Sequence, residues 1–99
     1  MVFVSDTGNS IVRVFRSGKE VAFVGLPGHS GLGDGKGTAA RLKAPAAIRA
    51  VRGTVAFVDG NLIRTFKASS FDVLTSYASS NKVIDIAMGG DAIYVLEKL

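Results

Sequence analysis

The sequence predicts an all-β chain of about nine short antiparallel strands. Its apolar segments are each about five residues long and rich in Val, Ile and Phe, the residues that suit a pleated, half-buried surface. Clusters of Gly, Asn, Asp and Ser separate them at hairpin spacing. No window shows the 3.6-residue apolar period of a helix. At 99 residues, 47% apolar and 20% charged, the chain has the composition of a small globular unit with a modest core.

Taken in order, the first expected strand is Val2–Val4, closed by Thr7-Gly8-Asn9-Ser10 against Ile11–Phe15. Ser17-Gly18-Lys19 turns that strand into Val21–Val24. A long interruption runs from Gly25 to Pro45. Ala47–Val51, Val55–Val58, Leu62–Phe66 and Val73–Tyr77 follow, joined at Arg52-Gly53, Asp59-Gly60-Asn61 and Ala68-Ser69-Ser70. Ser79-Ser80-Asn81 leads into Val83–Ala87, and Gly89-Gly90-Asp91 into Ala92–Leu96. The turn residues accept positive φ or hydrogen-bond their own backbone, so each junction reads as a tight reversal.

The chain also repeats itself. Val2 to Phe15 parallels Val55 to Phe66, the second copy having a hairpin two residues shorter, and Ala92 to Glu97 resembles the start of a third copy. Asp6 and Asp59 lie 53 residues apart, Asp59 and Glu97 only 38, and the difference matches the extra length of the Gly25–Pro45 connection. A period near 40 with four strands per unit is the sequence signature of propeller blades.

Asp6-Thr7-Gly8-Asn9 with Arg13 and Phe15, followed by Asp34-Gly35-Lys36-Gly37-Thr38-Ala39-Ala40-Arg41-Leu42, Pro45 and Ile48, resembles the NHL-repeat family of β-propellers. The likeness is strong over residues 2–48, fair over 55–66 and weak from 71 onward, where Glu97 replaces the expected aspartate. It implies a partial NHL-type β-propeller of roughly two and a quarter four-stranded blades. Residues 1–24 would form an incomplete blade, 25–45 an inter-blade crossing, 46–77 a full blade and 83–99 the start of a further one. A closed ring needs about four to eight blades, so this chain would not close alone. It would be part of a longer propeller or would complete a ring with further copies. If the strands at the two ends compete for one place, each chain supplies two blades, and three chains reach the six usual for the family.

Charge is uneven. Ten of the twelve Lys and Arg and four of the eight acids fall in residues 1–67, a net +6, and the remaining 32 residues carry −2. A basic half suits nucleic acid or an acidic protein surface by long-range attraction. No Lys/Arg cluster is contiguous, however, and scattered charge on strand edges also deters edge-to-edge pairing. With no Cys, disulfides and thiolate metal sites are excluded. With His29 the single histidine, a His-rich metal site would need ligands from another chain. No apolar run reaches the roughly 18 residues of a membrane span, and no basic-then-apolar leader opens the chain. A cytoplasmic location is therefore favoured, whether or not the chain is part of a longer protein.

Gly25, Gly28, Gly31, Gly33, Gly35 and Gly37 invite a phosphate-loop reading that fails on spacing, because Gly35-Lys36 is followed by Gly37 rather than Ser or Thr. Asp34 with Gly35 and Gly37 lacks the further carboxylates of a calcium loop. The glycines read instead as the turns of a crossing. His29 beside Ser30 reads as a solvated loop residue rather than part of a triad. No catalysis, cofactor, metal or small-molecule substrate is expected.

Binding remains. Asp6, Asn9 and Arg13, repeated as Asp59, Asn61 and Arg64, are expected to make structural turn bonds and ion pairs. NHL propellers include RNA binders that use basic and aromatic loop residues, and the resemblance makes Lys36, Arg41, Lys43, Arg49 and Arg52 the candidate contacts. The aromatic residues sit almost entirely at strand packing positions, which argues against a stacking platform. The leading expectation is a non-catalytic scaffold that binds another protein, or itself, through loops or open strand edges. The alternative is an RNA-binding platform on the basic two-thirds.

Overall fold

A computed structural model describes residues 1–89 and 91–98. Gly90, in the last expected turn, and Leu99, at the end of the last expected segment, lie outside the described residues. The fold is all-β. Its strands are β1 (Val2–Asp6), β2 (Ile11–Arg16), β3 (Lys19–Val24), β4 (Gly35–Lys36), β5 (Pro45–Val51), β6 (Thr54–Asp59), β7 (Leu62–Lys67), β8 (Asp72–Ala78), β9 (Lys82–Gly89) and β10 (Ala92–Lys98). All nine expected strands are present, extended by one to three residues at their ends. The tenth, β4, is new: two residues of the crossing pair with β8 at Gly35↔Val73 and Lys36↔Asp72.

Three sheets result, ordered β1-β2-β3, β4-β8-β7-β6-β5 and β9-β10, and none closes on itself. The turns explain why consecutive strands pair. Ser17-Gly18 and Arg52-Gly53 each place two successive residues at positive φ, 54° and 78° in the first and 52° and 77° in the second. That is the two-residue hairpin geometry whose twist matches the strands it joins.

The five-stranded sheet forms the middle layer. Alternation along β6 sends Val55 and Phe57 to one face and Ala56 and Val58 to the other, and all four are buried. On the first face, Phe57, Phe66 and Val73 pack with Val12 and Val24 of the three-stranded sheet and with Ala40 and Leu42 of the crossing. Phe66 is the hub, with ring centroids 5.8 Å from Phe3 and 6.1 Å from both Phe57 and Phe71. On the second face, Ala56, Val58 and Ile63 meet Val83 and Ile86 of β9, with Ile93 and Val95 of β10 beside them.

The pairing registers repeat. Val2↔Phe15 and Asp6↔Ile11 in β1–β2 correspond to Val55↔Phe66 and Asp59↔Leu62 in β6–β7. Pro45↔Asp59, Ile48↔Phe57 and Val51↔Thr54 in β5–β6 recur 38 residues later as Val83↔Glu97, Ile86↔Val95 and Gly89↔Ala92 in β9–β10. Hence β1, β6 and β10 are three versions of one strand position. The crossing fits closely at Gly25, where φ is 95° and a Cβ would lie 2.7 Å from the Ser10 carbonyl oxygen.

Replacing Phe66 with Ala removes the ring that three other aromatics contact. The expected loss is about 3–5 kcal/mol of unfolding free energy, read by urea denaturation followed by far-UV circular dichroism.

Candidate interaction surface

Two copies of one polar motif differ sharply in environment. Asp59 ends β6 and Arg64 lies two residues into β7, so the hairpin sets the carboxylate beside the guanidinium, and both side chains are fully buried. Arg64 Nη1 donates to Asp59 Oδ2 at 2.9 Å and to the Arg41 carbonyl at 2.7 Å. Its Nη2 donates to the Gly33 carbonyl at 3.0 Å and to Asp34 Oδ1 at 3.1 Å. Asp59 also accepts the backbone N–H groups of Lys43 and Ala44, at 3.0 Å and 2.7 Å on Oδ1. Of the Arg64 nitrogens, Nε has no partner among the described residues. The pair therefore grips both arms of the crossing, residues 33–34 and 41–44.

In the first copy, Arg13 Nε donates to Asp6 Oδ2 at 2.8 Å, Asn9 Nδ2 donates to the same oxygen at 2.9 Å, and Arg13 Nη1 bonds Glu20 at 2.9 Å. Here no crossing lies over the pair. The Arg13 and Asp6 side chains stay 32% and 26% exposed, and the backbone amide that acts on Asp6 is that of Asn9 in its own turn rather than one from a crossing. Asn61 does not copy Asn9: its Nδ2 donates to the Ser79 carbonyl, closing the β6–β7 turn onto the end of β8. All six of these side chains make a turn bond or an ion pair, and only Asp59 and Arg64 among them hold the crossing, for which the sequence carries no local signal. Their partners there are 15 to 31 residues away.

At the third version of the position, Glu97 accepts the Ser79 hydroxyl at 2.5 Å and the Tyr77 hydroxyl at 3.0 Å. Those bonds, Ser79 first, hold the Glu97 carboxyl below its ordinary pKa, and the bond to Glu97 pushes the Tyr77 phenol up. Asp6 is lowered by Asn9 first and then by Arg13. For Asp34 the largest single influence is desolvation, which pulls upward, but the hydroxyl and amide of Thr75 with Arg64 outweigh it and the net shift is down.

The five basic candidates do not converge. Lys36 is exposed on β4, at one edge of the five-stranded sheet, and Arg49 is exposed on β5 at the other, four strand spacings or about 19 Å away. Arg52 sits exposed in the β5–β6 turn. Lys43 is exposed at the opposite sheet end, where its own amide bonds Asp59. Arg41 folds back on the Thr38 and Ala40 carbonyls at 2.6 Å and 2.9 Å, and Arg49 pairs with Asp85 at 3.0 Å. His29 is an exposed loop residue, and among the described residues no three His, Cys, Asp or Glu side chains form a metal-binding group. Among the described residues no helix is long and apolar enough to cross a membrane.

Apolar surface is the more informative feature. Val2, Val4 and Val21 are exposed on the three-stranded sheet. Leu74 and Tyr77 are exposed on the β8 part of the middle sheet, and Tyr94 and Leu96 on β10. The exposure of Tyr77 and Tyr94 departs from the expected packing role of the aromatics. The middle sheet is wide and its two-stranded neighbour narrow, so the β7–β8 half of that face is left uncovered. An open cleft of about 680 Å³ results, lined by Ile63, Ser76, Tyr77, Ile93, Tyr94 and Val95 among others. Comparison with protein-family models, curated proteins and solved structures finds no match to this chain.

Two predictions follow from these environments. Asp59→Ala removes the buried carboxylate from Arg64, leaving it only the half-exposed Asp34, and should cost about 3–5 kcal/mol in urea unfolding, whereas Asp6→Ala should cost distinctly less. Asp6, Asp34 and Glu97 all have lowered folded pKa values, so their stabilisation is complete above the unfolded value. It is lost as pH falls through the folded values. The urea midpoint should be flat from neutral pH to about pH 5 and fall below about pH 4, and Asp34→Asn should flatten part of that fall.

Proposed function

We propose that the chain is a non-catalytic interaction scaffold of the NHL-repeat, partial β-propeller kind, binding another protein through open strand edges and uncovered sheet faces. The observation that carries this reading is that both terminal sheets stop short of the middle one. In blade terms the first sheet lacks its innermost strand, the middle sheet has all four with β4 added outside, and the third lacks its outer two. The uncovered faces bear Val2, Val4, Val21, Leu74, Tyr77, Tyr94 and Leu96, more apolar side chain than isolated surface residues account for.

An RNA platform on the basic two-thirds has less support. Its five candidate cations are split between opposite edges and ends of one sheet, and two of them are engaged within the chain. The exposed rings, Tyr77 and Tyr94, lie in the acidic C-terminal third instead.

Filter binding of a mixed RNA pool by the full chain separates the two readings. The scaffold reading expects no retention at about 20 mM salt. Micromolar binding whose logarithm falls with log salt at a slope near −3 or steeper would replace it with the RNA platform.

A further inference from the structure

We infer that the partner is a second copy of this chain, whose three-stranded sheet completes the two-stranded sheet by seating its β1 on β9 in place of β10. This rests on the scaffold reading above and names its partner. Four observations lead to it.

The first is equivalence. β1 and β10 occupy the same repeat position as β6, so Val2, Phe3, Val4, Ser5 and Asp6 correspond to Ile93, Tyr94, Val95, Leu96 and Glu97. Four of the five pairs conserve side-chain character, the exception being Ser5 with Leu96. β9 therefore presents a register that β1 of another copy fits: Met88 opposite Val2, Ala87 opposite Phe3 and Ile86 opposite Val4.

The second is facial complementarity. Seated this way, the outer face of the incoming sheet, with Val2, Val4 and Val21, would lie on the middle sheet of the first copy. There it meets Ile63, Leu74 and Tyr77, taking the place of Ile93 and Val95 as the cover of that face. Inside one chain, the repeat-equivalent face of the middle sheet, with Val55, Phe57 and Phe66, is already covered by the three-stranded sheet. The same kind of packing is thus made internally and left unmade at the ends.

The third is the polar pair. Asp59 takes the amides of Lys43 and Ala44 just before β5. The positions 38 residues later are Asn81, just before β9, and Lys82, its first residue. Asp6 of the incoming copy would reach those two amides, taking over the Asn81 amide that Ser79 Oγ holds at 3.0 Å. β1 rather than β10 takes the slot because Asp6 is tied to Arg13 and holds β1 on β2. Glu97 bonds Ser79, Tyr77 and the Asn81 side chain, all of which lie before the first residue of β9.

The fourth is charge. Residues 1–67 carry net +6 and residues 68–99 net −2, so a head-to-tail contact brings opposite signs together. Each copy then contributes two complete sheets. Because the contact is heterologous, it repeats until it closes, and a ring of four to eight sheets takes two to four copies.

Light scattering on the full chain at about 100 µM should give a discrete mass of two to four copies, falling on dilution. The chain has no Cys, so the double variant Val2→Cys/Met88→Cys reports the register. Its two positions face each other between copies but sit on separate outer layers, roughly 20 Å apart, within one. Oxidation should yield interchain disulfides with that variant and not with Val2→Cys/Asp85→Cys, which is three residues out of register. Asp6→Ala should weaken assembly at least tenfold with an unchanged circular dichroism spectrum. A β-rich monomer at that concentration overturns the proposal. So does an oligomer in which the Val2/Met88 pair does not cross-link, or one that Asp6→Ala leaves as tight as before. Each of these leaves the scaffold reading standing unless RNA is also bound.

Discussion

The buried ion pair of Asp59 and Arg64 is the constraint on which the path of the chain depends. Two charges removed from water are stabilising only when hydrogen bonds replace the lost hydration. Here the replacement comes from the crossing. Lys43 and Ala44 give amides to Asp59, while Arg41 and Gly33 give carbonyls to Arg64. A crossing placed elsewhere would leave two opposite charges buried without those partners. Its glycines allow the route, and the pair selects it. Leu42 and Ala40 are thereby delivered into the core between the first two sheets.

The same hairpin chemistry at Asp6 and Arg13 shows how far environment sets the worth of a contact. Distances in the two pairs differ by 0.1 Å, at 2.8 and 2.9 Å. Yet the first pair is wet and exchanges its interactions with solvent, so its net contribution is that of a surface pair. The second is dry, and breaking it leaves a charge with no route to water. What separates them is a layer of chain over one and not over the other.

This divides what was legible in the sequence from what was not. Strands and hairpins are written locally: runs such as Val55–Val58 favour the pleat, and Asp59-Gly60-Asn61 supplies a tight turn. The pairing of Asp59 with Arg64 is nearly local too. β4 could not be read in this way, because Gly35-Lys36 has no strand propensity and pairs only where the folded crossing brings it beside Asp72 and Val73. Arg41 looked like a cation for a ligand, but it acts through its carbonyl and folds its guanidinium onto its own turn. The exposure of Tyr77 and Tyr94 was hidden for a different reason. Period-two alternation names a face without saying whether another layer covers it.

Uncovered faces and open edges are ordinarily hazards, because a free strand accepts almost any partner. In the assembly proposed above, specificity has to come from register. A slip of one residue along β9 would turn Val2 and Val4 to the opposite face and carry Asp6 away from the amides of Asn81 and Lys82. The apolar residues supply most of the attraction but discriminate poorly between registers. A carboxylate at the end of the strand discriminates well, since it is either bonded or stranded. Asp6 is placed to act as that peg, and Asp59 already performs the task within the chain.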